Sequence, residues 1–104
     1  MAYERRGGAG WTVHPGEILN QEFLVPMHIT GYRLAKALDV KPQSINDIVL
    51  RKRGISAEMA VRLARFFGTT SEFWMNLQAA YDLSKASIAL RRKLHKIKPL
   101  RKAA

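Results

Sequence analysis

Apolar side chains recur along this chain at helical spacing rather than in the alternation of a strand. Between Tyr32 and Val49 the pattern breaks into two short pieces. Leu34 and Leu38 stand four apart on one helical face, and Ile45 and Ile48 stand three apart on another. The residues between them supply the punctuation. Thr30 is a side-chain N-cap for a helix from about Gly31 to Leu38. Asp39 follows directly and tolerates left-handed backbone better than most residues. Pro42 fits the first turn of a second helix, to about Val49, where its missing N–H costs nothing. Ala35 leaves room for the two helices to pack.

The flanks read the same way. Within Thr12 to Met27, Pro15 opens a helix with Glu17 in its first turn; Ile18, Leu19 and Phe23 form its apolar face, Leu24 covers the core just beyond, and Pro26 closes the segment. Ser56 caps a helix to Phe67 with Ala60, Leu63, Ala64 and Phe67 turned inward, and Gly68 ends it. A further helix runs from Thr69 to about Leu83. It is capped by Thr69 or Thr70, and Thr69 with Glu72 has the spacing of a capping box. Its stripe of Phe73, Trp74, Leu77 and Tyr81 exceeds what one small core needs, so part of it is expected at a dimer surface.

These elements divide the chain into a flexible arm (1–11), one domain (12–83) and a basic tail (84–104). The arm carries Arg5, Arg6 and glycines at 7, 8 and 10. The tail has no acidic residue, holds 8 of the 18 basic ones, and has amphipathic helical spacing to about Lys98. Three roles stay open for it: contact with nucleic acid, contact with a protein partner, or no contact.

Composition narrows the chemistry. The 104 residues carry a formal charge of +10, which favours a polyanionic partner. There is no cysteine, hence no disulfide, thiolate metal site or cysteine nucleophile. The absence of a signal-like or membrane-length apolar run fits a cytoplasmic protein. His14, His28 and His95 lack metal-ligand spacing, and no catalytic constellation is present, so neither enzyme activity nor a cofactor is expected. The second short helix exposes Gln43, Ser44, Asn46 and Asp47, short polar groups suited to base edges or phosphates. Lys41 stands before it, Arg51, Lys52 and Arg53 follow it, and Arg33 and Lys36 lie on the helix before; all six are cations placed for backbone phosphates.

The Leu34-Ala35, Leu38-Asp39-Val40 and Ile45/Ile48 spacing resembles the helix-turn-helix of the lambda-repressor-like superfamily. Asp39 replaces the commoner turn glycine, and Lys41 the usual Ser or Thr cap. His14 to Leu19 (HPGEIL), Ser56 to Ala64 and Gly68 to Leu83, with EFWMNLQAAYDL at its heart, resemble HigA/VapI-type antitoxins over about Val13 to Leu83. The resemblance implies an all-α, five-helix DNA-binding domain with a basic C-terminal extension, usually homodimeric. It implies neutralisation of a HigB-type, RelE-like mRNA-cleaving toxin and repression of the antitoxin's own operon. It implies base or phosphate contacts from Gln43, Ser44, Asn46 and Asp47, backbone contacts from Arg33 and Lys36, and fold-stabilising, dimer-facing Trp74, Leu77 and Tyr81. Because such toxins are basic, docking is expected on a local acidic or apolar patch such as Glu17 and Glu22. The rival reading is a stand-alone repressor with no toxin.

Overall fold

Leu34, Ile45, Ile48, Leu63 and Trp74, drawn from four different helices, meet in one core with no exposed surface left. A computed structural model describes residues 13–100, and among them every regular element is helical. The expectation of a flexible arm at 1–11 lies outside the described residues.

The order is α1 (Pro15–Ile18), which continues as a π-helical segment (Leu19–Leu24), then α2 (Gly31–Leu38), α3 (Pro42–Val49), α4 (Ala57–Phe67), α5 (Ser71–Ala89) and α6 (Arg91–Leu94). The π segment puts Leu19 and Leu24, five residues apart, both into the core. The Val25 N–H donates to the Asn20 carbonyl, the five-residue bond that defines this winding.

Local punctuation sets the boundaries as the sequence predicts. The Thr30 and Ser56 hydroxyls accept from the N–H groups of Arg33 and Met59. Asp39 takes φ 61° and ψ 47°, and Gly68 φ 77° and ψ 21°. Lys41 gives α3 no side-chain cap. Arg62 fastens α4 to α2: its guanidinium donates to the Leu38 carbonyl and to Glu58.

Two expectations change at α5. Thr70, not Thr69, caps it, accepting from the Phe73 N–H. Thr69 instead accepts the Trp74 indole N–H at 2.7 Å, so the Thr69–Glu72 capping box does not form. The buried indole needs that acceptor. In addition α5 does not stop near Leu83 but runs on to Ala89. Acidic residues disappear there, yet no Gly or Pro interrupts the backbone, and a change of charge alone does not end a helix.

Candidate nucleic-acid interface

Helix α3 is eight residues long and owes its stability to packing. Ile45 and Ile48 sink into the core against α2, while Gln43 and Asn46 remain exposed and Ser44, Asp47 and Val49 are partly covered. The far end of α3 is held by α1. Gly16 approaches the carbonyl of Ile48 so closely that a Cβ built on Gly16 would lie 1.9 Å from that oxygen. Only glycine permits that approach. His14 fixes the turn that delivers Gly16. Its buried ring caps α1, with Nδ1 accepting the Gly16 N–H at 2.8 Å.

His14 also meets α5, stacking edge-on against Tyr81 with ring centroids 4.7 Å apart. Burial lowers its pKa below 6.5; the nearby charges of Arg51 and Lys85 lower it further, against opposing contributions from Glu17 and Asp82. The neutral ring is the form that can accept at Nδ1. A second brace comes from Gln78, whose Oε1 accepts the Ile55 N–H at 2.7 Å just beyond the α3 exit.

The ten candidate contact residues form one surface in part. Arg33, Lys36, Lys41, Gln43, Asn46, Arg51, Lys52 and Arg53 are exposed on α2, α3 and their flanks. Several of their side chains are already engaged. The Gln43 amide donates to Asp47 at 2.9 Å, and Arg53 lies 3.8 Å from the same carboxylate. Asp47, whose side chain is only 17% exposed, therefore orients its neighbours. Arg51, with φ 64°, pairs with Glu17 at 2.7 Å. Lys36 lies 5.6 Å from the Tyr32 ring centroid.

Tyr32 and Asn20 were not among the sequence candidates. They line a shallow groove with Gln43 and Asn46, between the π segment, α2 and α3. An aromatic residue left exposed in the first turn of α2 was a signal for Tyr32. Nothing in the sequence marked Asn20.

Trp74 is fully buried among Phe23, Phe67 and Phe73, Leu77 packs on the core, and Tyr81 stacks on His14. These three residues lie on the inner face of α5, and Leu77 and Tyr81 keep part of their surface exposed.

The helix-turn-helix family model matches residues 21–74. Virulence-associated protein I of Dichelobacter nodosus is 53% identical over 74 residues, covering 71% of this chain and 68% of that protein. Antitoxin HigA-1 of Vibrio cholerae is 36% identical over 88 residues, covering 85% of this chain and 83% of the relative. The solved structure of Pseudomonas aeruginosa antitoxin HigA with the higBA promoter superposes with a TM-score of 0.83 at 50% identity, covering 85% of this chain and 97% of that one. With α2 and α3 packed as a helix-turn-helix and these likenesses spanning most of its length, the chain belongs to the helix-turn-helix family, among the HigA and VapI antitoxins.

Proposed function

We propose that this protein is the antitoxin of a type II toxin–antitoxin pair. It binds operator DNA as a homodimer through α3, represses its own operon, and neutralises a basic, HigB-type mRNA-cleaving toxin. It works in the cytoplasm and has no catalytic role of its own. The observation that carries the DNA half is α3 itself: two core isoleucines on one side, and exposed Gln43 and Asn46 beside a cationic rim on the other. Gln43 and Asn46 read base edges. Ser44, Lys41, Arg33, Lys36, Lys52 and Arg53 supply phosphate contacts that set register, joined by Tyr32 and Asn20 from the groove. Arg51 serves both Glu17 and the backbone. A dimer presents two α3 helices to successive major-groove faces about 34 Å apart, and so reads a palindrome.

The toxin half draws support from the antitoxin relatives. Its test is growth of cells expressing the small protein encoded beside this one, with and without this chain, followed by co-purification. Relief of arrest with recovery of a complex supports the antitoxin. A neighbour that is harmless, or toxic but neither rescued nor bound, leaves a stand-alone repressor.

A further inference from the structure

The charge of this protein is unevenly placed. Between residues 12 and 83, eight basic side chains face seven acidic ones. Three of those eight sit in ion pairs: Arg51 with Glu17, Arg53 with Asp47 and Arg62 with Glu58. From Ser84 onward there are eight basic side chains and no acidic one. The excess positive charge is therefore carried almost wholly by the C-terminal segment, not by the helix-turn-helix. Every residue from Lys85 to Leu100 is exposed, and among the described residues none of these cations is in an ion pair. Cations crowded in this way repel one another, and a polyanion is the partner that relieves the repulsion.

The segment leaves the fold beside α3. Lys85 lies 5.4 Å from the centroid of the Tyr81 ring, and Tyr81 stacks on His14. On the other side of His14 stands Arg51, paired with Glu17 at the exit of α3. The charges of Lys85 and Arg51 both bear on the His14 ring. The first cation of the tail is thus a close neighbour of the cationic rim around α3.

We propose that Lys85 to Lys98 forms a second DNA contact, which holds phosphates without reading sequence while α3 occupies the operator, a contact that rests on the DNA-binding reading above. The shape of the segment favours a duplex over a lipid surface. A helix lying on a membrane keeps its cations on one face, its apolar residues on the other, and aromatic anchors between. Here Arg91, Arg92 and Lys93 are consecutive, so they sweep about 200° of the helix. Helix α6 ends at Leu94 after four residues, and no Trp, Tyr or Phe follows Tyr81. Cations pointing in several directions can still meet the closely spaced phosphates of a duplex and its grooves.

The test is a full-length variant carrying Arg91→Gln, Arg92→Gln, Lys93→Gln, Lys96→Gln and Lys98→Gln together. Its helicity should match the native protein, since all five side chains are exposed. Binding to the protein's own promoter and to random DNA is titrated across salt. The slope of log K against log salt should flatten by about 2–4 on both DNAs, as two to four phosphate contacts are lost. At about 0.1 M salt both affinities should fall by about 100-fold or more, with the preference for the promoter kept. A second variant, with Arg exchanged for Lys and Lys for Arg at the same five positions, should keep the native slope. Unchanged slopes in the Gln variant would overturn the proposal, as would a loss confined to the promoter or an equal loss in the charge-preserving variant. Weaker binding of single-stranded RNA with unchanged DNA slopes would give the tail to RNA and overturn it too. A native protein without preference for its promoter would instead remove the reading of α3, and would leave the tail contact standing if the slope on random DNA still flattens.

Discussion

The two faces of α5 carry opposite kinds of information. The inner face is joined to the rest of the protein at every turn from Trp74 to Tyr81. Trp74 fills the core, Gln78 holds the Ile55 N–H just past α3, and Tyr81 leans on His14. His14 in turn presents Gly16 to the Ile48 carbonyl at the end of α3. The outer face leaves Leu83, 67% exposed, largely in solvent. One side of the helix thus braces α3 from behind while the other stays largely exposed. The lesson is that an aromatic-rich stripe marks where a helix meets its own fold.

Substitutions can break this contrast, and the largest effect belongs to the inner face. Trp74→Ala should cost about 3–5 kcal/mol in denaturant unfolding, through lost burial and the cavity left behind. Next comes Gly16→Ala, which drives a methyl group into the Ile48 carbonyl and should cost about 2–3 kcal/mol. It should also weaken operator binding, because α1 and α3 must separate; full stability with full binding would refute the brace. Gln78→Ala removes the acceptor for a partly buried N–H, worth about 1–2 kcal/mol.

A smaller effect is expected from acid. His14 has a lowered pKa in the folded state, so its neutral form is favoured by folding. The stability it contributes is present above its unfolded value of 6.5 and is lost as pH falls from there through the lower folded value. Comparing unfolding between pH 7 and 5 with His14→Asn, which keeps a short polar cap without the titration, should show a shallower pH slope in the variant. An identical slope would place the titrating group elsewhere. Smallest of all, Leu83→Ala should change the unfolding of the isolated protomer by less than about 0.5 kcal/mol, since Leu83 is largely exposed there.

What the sequence disclosed follows from distance along the chain. Thr30, Asp39, Pro42, Ser56 and Gly68 act on backbone within four residues, and each does what its type and position predict. The helix-turn-helix, and with it the polar side of α3, was legible for the same reason. The braces behind α3 were not. Gln78 and Ile55 are 23 residues apart, and the approach of Gly16 to Ile48 spans α2 entirely. Thr69 matched a capping box locally, but the Trp74 indole claimed its hydroxyl. Periodicity finds the aromatic face of α5 without saying which neighbour it meets. Likewise the pairing of Glu17 with Arg51, which stands in left-handed backbone, joins residues far apart in the chain.

The central claim is that α3 reads an operator while the cations around it hold the backbone. It is tested most directly by titrating this protein's own promoter and random DNA across a range of salt, with native protein and with Gln43→Ala. If six to eight phosphates are contacted, the logarithm of the binding constant should fall against the logarithm of salt with a slope of about −5 to −7. Gln43→Ala should then cost about 1–3 kcal/mol on the promoter and almost nothing on random DNA, at an unchanged slope. Equal losses on both DNAs, or no preference of the native protein for its promoter, would contradict it.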